Sequence, residues 1–360
     1  MIEALRRALE RGPYSLRQEE RDALLLPALD QLTRHHYERC APYRRIIDGF
    51  SGGIRRSDSV SEVPYLPVSL FKTQTLRSVD PEAVRVTLTS SGTGNGSVSR
   101  VFLDTETSAA QQRALANSLM HVLGKQRLPM LVIDTDAVFK NPQLMSARGA
   151  GVLGLMRYGR AHAFSLTPDL EPDRAAVAAF LRAVDGKPFF AFGFTFMVWA
   201  HFYEPFKDAG FDLSRGTLIH SGGWKTMNER AVGNTEFKAA LKRAFGLTRV
   251  CNFYGMVEQI GSIFLEGPDD LLHPPNFADV IIRDPVSWNP LPPGKEGVIQ
   301  LLSLLPESYP GHSVLTADLG VVETVDADAE GWNGKGLRII GRVPEAELRG
   351  CSDVIAVGER

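Results

Sequence analysis

An α/β fold, with a mostly parallel sheet flanked by helices and a smaller β-rich C-terminal region, is what this sequence predicts from three observations. Apolar strand-like pieces alternate with helical ones from about residue 84 to 255. Beyond about residue 260 helices become scarce, and Pro and Gly frequent. The apolar content, 44% of 360 residues, is enough to bury the core of one large domain or of two ordinary ones.

Taken in order, residues 14–48 read as helical, with spaced apolar positions among Arg and Glu, until Ser51-Gly52-Gly53 breaks the pattern. The prolines of Val63-Pro64-Tyr65-Leu66-Pro67 favour an extended path. Residues 84–88, VRVTL, alternate and are rich in β-branched side chains, a strand that leads into a Gly- and Ser-rich turn. The alternation then runs through a helix near 106–123, MLVID at 130–134, a helix near 172–184, FFAF at 189–192, TLIH at 217–220, a helix near 228–245 and RVCNFYG at 249–255. Short strands follow at VII (280–282), GVIQLL (297–302) and LRIIG (337–341). The expected division is a helical segment over 1–60, an α/β core over 61–265, and a β-rich region with the C-terminal segment over 266–360.

Charge narrows the partners. Lys and Arg number 40 against 42 Asp and Glu, so no basic excess draws the chain to nucleic acid or to an anionic membrane, and small molecules or proteins are expected instead. Cys40, Cys251 and Cys351 have neither metal-ligand spacing nor an even disulfide count, which suits a reducing, cytoplasmic setting. Residues 1–12 are charged and lack the apolar stretch of a secretory signal. The most apolar run, 188–206, carries His201 and Glu204 and is interrupted by Gly193 and Pro205; a buried strand running into a buried helix fits it better than a membrane span.

The sharpest local signal is Thr89-Ser90-Ser91-Gly92-Thr93-Gly94-Asn95-Gly96-Ser97. Hydroxyls and three glycines in one turn after a strand can present O–H and backbone N–H donors to phosphate oxygens, although the spacing is not that of a P-loop. By itself the segment reads equally well as a surface turn. Four further segments follow it in order: His220-Ser221-Gly222-Gly223-Trp224-Lys225, Asn252-Phe253-Tyr254-Gly255-Met256-Val257-Glu258, Leu315-Thr316-Ala317-Asp318-Leu319-Gly320 and Ile340-Gly341-Arg342.

With the loop, these segments resemble the adenylate-forming superfamily of acyl-CoA synthetases and luciferases, and within it the acyl-protein synthetase family of bacterial bioluminescence. The second resemblance extends to Leu66-Pro67-Val68-Ser69-Leu70-Phe71-Lys72, Phe192-Gly193-Phe194-Thr195-Phe196 and Arg349-Gly350-Cys351, and covers about residues 60 to 353. It implies the large domain of the superfamily without the small C-terminal domain that carries the usual catalytic Lys. The departures are a phosphate loop short of one Thr and lacking its Lys, Val257 in place of Thr, and Ala317 in place of Gly.

The resemblance also implies roles. ATP would be bound through Ser90, Ser91, Gly92, Thr93, Gly94 and Gly96 at the β- and γ-phosphates, through Gly222 and Gly223 beside the adenine, through Tyr254-Gly255 with Tyr254 as stacking ring, and through Asp318 and Arg342 at the ribose. Glu258 would ligate Mg²⁺. His220 is a candidate for the carboxylate pocket, or a strand-end imidazole that satisfies a carbonyl. Lys225 and Lys72 are candidates for the missing cation, or solvated surface lysines. Cys351 falls at the family's acyl-accepting cysteine, where Arg349 favours the thiolate, while Cys251 reads as core and Cys40 has no evident role. The expected reaction is activation of a carboxylic, fatty acid to an acyl-adenylate, transfer to Cys351, and delivery to an acyl-accepting partner such as an acyl reductase or a carrier protein. Two alternatives stay open: transfer to coenzyme A or a carrier thiol, and a degenerate nucleotide-binding scaffold.

Overall fold

The computed structural model describes residues 3–90, 98–139, 147–223, 232–327 and 330–343. Its contacts divide them into two compact units, one of residues 3–90, 98–121 and 254–343, the other of the described residues between 122 and 253. The helical residues before 60 and the β-rich residues after 266 therefore share one unit.

The first unit opens with α1 (Glu3–Glu10), α2 (Gln18–Arg39) and α3 (Ala41–Ser51). The helical run expected over 14–48 is thus two helices. The chain leaves helical geometry at the extended Cys40 and restarts with Pro42 in the first turn of α3, where its missing amide hydrogen costs no bond, whereas Pro27 is carried inside α2. Gly52, with φ +67°, then ends α3 by returning its N–H to the Asp48 carbonyl. After β1 (Leu66–Pro67) and the single turn α4 (Leu70–Thr73), β2 (Val86–Thr89) and β3 (Arg100–Leu103) pair as an antiparallel hairpin, and α5 (Thr105–Leu123) follows.

In the second unit come β4 (Leu128–Val132), α6 (Ala147–Met156), β5 (Gly159–Phe164), α7 (Arg174–Val184) and β6 (Phe189–Phe194). A compound helix follows, made of α8 (Thr195–Met197), a π-helical turn (Val198–Tyr203) and α9 (Glu204–Phe206). Then come β7 (Gly216–Ser221), α10 (Asn234–Phe245) and β8 (Arg249–Tyr254). The order is β8-β7-β6-β4-β5 and every pairing is parallel. All six β6 residues are buried, as a parallel strand covered on both faces requires. The apolar run at 188–206 is this strand and its compound helix, and no helix among the described residues is long and apolar enough to cross a membrane. From β4 the chain steps to one side for β5 and to the other for β6, so strand order reverses there.

The chain completes the first unit with β9 (Phe264–Glu266), β10 (Leu272–His273), β11 (Ala278–Arg283), β12 (Gly297–Ser303), β13 (Ser313–Val325) and β14 (Lys335–Arg342). Here the neighbours β11-β12-β13-β14-β10-β9 are antiparallel, and β1 adds to β13 in parallel. Leu25, Leu29 and Leu32 of α2 share one core with Val280, Ile299 and Leu301 of this sheet.

Candidate active site

Within the first unit, the segments around 254, 318 and 342 converge. β13 and β14 place Asp318 opposite Arg342, with an irregularity in register directly after Leu319. Thr316 shapes the bend: its hydroxyl donates to the Ile299 carbonyl (2.9 Å) and accepts from the Asp318 amide (3.1 Å). Gly320 is required by space, since a Cβ there would lie 2.7 Å from Ile299 Cδ1 and 2.9 Å from the Arg338 carbonyl oxygen. The Asp318 carboxylate accepts from the Tyr254 hydroxyl on Oδ2 (2.7 Å) and from Arg342 Nε on Oδ1 (3.2 Å). Burial first, then the adjacent carboxylate, hold Tyr254 well above the ordinary tyrosine range, which keeps it a donor.

Glu258 lies in the same unit and is 4% exposed. Burial raises its pKa, while a hydrogen bond from the Ser99 hydroxyl and the charge of Lys72 oppose the rise. Lys72 lies in the last turn of α4, next in sequence to the buried Phe71. Ser99 also continues the hairpin beyond β2, because its amide donates to Ser90 Oγ (2.9 Å) and its carbonyl accepts from the Ser90 amide (3.1 Å). Sequence reasoning missed Ser99; its place opposite Ser90 follows from the hairpin register. Ser91, Gly92, Thr93, Gly94 and Gly96 lie outside the described residues, as do Lys225 and Cys351.

The second unit holds the His220 segment at the carboxyl edge of its parallel strands. His220 is 2% exposed; Nδ1 lies 2.9 Å from Thr195 Oγ1, and the ring packs on Phe237 with centroids 4.7 Å apart. Burial, and then the cation of Lys238, lower its pKa to about 3, so the imidazole is neutral. Ser221 is tied down by donating to the Phe253 carbonyl (2.8 Å). Gly222 turns with φ +87° and, like Gly223, is exposed. Thr195 lay in a segment that carried the resemblance but was given no role of its own, and Lys238 lay in no motif.

The fold is that of the adenylate-forming enzymes. The chain aligns with an open conformation of 2-hydroxyisobutyryl-CoA ligase, in complex with 2-HIB-AMP and CoA, at a TM-score of 0.67 and 17% identity over 92% of this chain and 77% of that one. The postadenylation state of that ligase gives a TM-score of 0.65 at 17% identity, covering 92% of this chain and 69% of the other.

The chain belongs to the acyl-protein synthetase, LuxE family, whose profile matches residues 3–358. It is 24% identical to the long-chain-fatty-acid–luciferin-component ligase of Vibrio harveyi, over 89% of this chain and 84% of that protein. With the corresponding ligase of Aliivibrio fischeri it shares 22% identity, over 90% of this chain and 86% of that one. It is an acyl-adenylate-forming ligase.

Proposed function

We propose that this ligase uses ATP to activate a long-chain fatty acid and hands the acyl group, by way of Cys351, to an acyl-accepting protein. The observation that carries the nucleotide half of this reading is the Asp318 carboxylate. A carboxylate offers about four acceptor sites. Tyr254 and Arg342 take one on each oxygen, leaving one on each for the two hydroxyls of a ribose. This gives Tyr254 a second duty besides stacking on adenine: it holds the ribose clamp still.

In the first half-reaction a carboxylate oxygen of the acid attacks the α-phosphorus of ATP and the bond to pyrophosphate breaks. Ser90 through Gly96 would hold the departing phosphates, and Gly222 and Gly223, with no side chains, would leave room for a flat base. Glu258 suits Mg²⁺, a hard ion that keeps several waters and is usually held by one or two carboxylates together with phosphate oxygens. Burial disfavours the charge on Glu258 and a cation would restore it, which supports the fit. The ion would supply charge neutralisation on the phosphates; Lys72, and Lys225 on the resemblance, would add to it. In the second half-reaction the Cys351 thiolate attacks the acyl carbonyl, AMP leaves, and the resulting thioester passes to a thiol of the partner, an acyl reductase or carrier protein.

The test is exchange of labelled pyrophosphate into ATP, expected to depend on Mg²⁺ and on hexadecanoate. Labelled hexadecanoate with ATP is expected to leave label on the protein that neutral hydroxylamine releases. Cys351→Ser should abolish that label while sparing exchange. Label persisting in Cys351→Ser overturns self-acylation in favour of coenzyme A or a carrier thiol as direct acceptor. Failure of exchange with a broad panel of acids leaves a nucleotide-binding scaffold.

A further inference from the structure

His220 lies in register with Gly193 of β6 and Asn252 of β8, at the carboxyl ends of parallel strands, where open α/β sheets receive their ligands. Its ring packs on Phe237, and its two ring nitrogens are treated differently. Nδ1 is paired with the Thr195 hydroxyl at 2.9 Å, whereas Nε2 is buried with no hydrogen-bond partner among the described residues. Thr195 is itself 6% exposed, and His220 is the sole partner of its hydroxyl among the described residues.

These facts select a tautomer. Were the proton on Nδ1, it would donate to Thr195 Oγ1, and the hydroxyl hydrogen would then be buried without an acceptor. With Nδ1 as a lone pair, the hydroxyl donates to it and both Thr195 and Nδ1 are satisfied. The proton then sits on Nε2, as one buried N–H for which the described residues supply no acceptor. An unmet buried donor costs roughly 1–3 kcal/mol, and a bound oxygen, above all an anionic one, recovers that cost. A neutral imidazole offers such a donor without bringing a second proton that the acid could take. Lys238, the cation nearest in effect to His220, puts positive potential at the same place.

Building on the adenylation reading, we propose that Thr195 is a positioning residue that fixes His220 as the Nε2–H tautomer, and that this N–H binds a carboxylate oxygen of the acid and then the acyl carbonyl oxygen of the adenylate. The compound helix that starts at Thr195 serves this placement. Its first residue brings the hydroxyl to the ring, and the widened turn at Val198–Tyr203 seats Trp199 against Phe237, the wall on which His220 rests.

The tautomer is read directly by ¹⁵N–¹H correlation of the full chain with labelled histidine. In the free protein, His220 should show an unprotonated Nδ1 and a protonated Nε2, and the Nε2–H resonance should move on addition of hexadecanoate. Thr195→Val, which keeps the shape and removes the donor, should mix the tautomers and raise the KM for hexadecanoate about tenfold, the equivalent of one hydrogen bond, with the KM for ATP unchanged. Thr195→Ser should restore both signals. An Nδ1–H tautomer in the wild-type chain overturns the proposal, as does an Nε2–H resonance that ignores the acid or a KM for hexadecanoate unmoved in Thr195→Val. These outcomes leave wild-type pyrophosphate exchange intact, whereas failure of the adenylation reading shows as no exchange in the wild-type chain with any acid.

Discussion

The chemistry rests on a few side chains whose value depends on what holds them. In the proposed ribose clamp, Asp318 would serve because two donors pin it while leaving acceptor capacity on each oxygen. Removing the carboxylate in Asp318→Ala should weaken ATP binding by about 1.5–3 kcal/mol, the range for hydrogen bonds to a charged acceptor, read as a rise in the KM for ATP. Tyr254→Phe separates the two duties of the tyrosine. It keeps the ring and loses only the donor, so its cost should be about 0.5–1.5 kcal/mol, again in the KM for ATP and with kcat little changed. If Tyr254→Phe matches the wild type while Tyr254→Ala does not, stacking alone carries the residue and the clamp is unimportant.

Among the elements, the start of α6 is fastened by a buried ion pair. Arg148 and Asp134 form an ion pair in which each side chain is 1% exposed, with Arg148 Nε donating to Asp134 Oδ2 at 2.8 Å and a second bond from Nη2 to Oδ1. Asp134 also accepts from the Thr135 amide just beyond β4 (2.7 Å), so the pair fastens α6 to the carboxyl end of the strand where sheet order reverses. Arg148→Leu should lower stability by about 3–5 kcal/mol because it strands a buried carboxylate, measured as a loss of denaturant midpoint. The double variant Arg148→Leu/Asp134→Leu should recover most of that loss. A single variant as stable as the wild type would show that the pair does not hold the helix.

For the molecule as a whole, buried neutral histidines set the response to acid. His36 and His312 are fully buried in the first unit and stack at 4.9 Å, and His220 is buried in the second. Burial is the leading cause that holds His36 well below the ordinary histidine range and lowers His312 and His220 to about 3. At these three positions the unfolded chain therefore binds more protons than the folded one between about pH 6.5 and 3, and the stability they contribute falls as pH drops through that window. Urea midpoints should be flat above pH 7 and decline towards pH 5, with a shallower decline in His36→Gln. A decline equally steep in that variant would assign the acid sensitivity elsewhere. What the sequence determined by itself was local and ordinal: the parallel strands, announced by continuous apolar runs such as that of β6, and the five motifs in their order. The break at Cys40 was not legible, because a proline alone does not mark a helix end in this chain: Pro42 opens α3 while Pro27 is carried inside α2. What only the tertiary structure decided was pairing. The contact of Tyr254 with Asp318 spans 64 residues and that of Thr195 with His220 spans 25. Periodicity tells which face of an element is apolar, whereas strand order and register, settled by burial across the whole unit, choose which polar groups then meet.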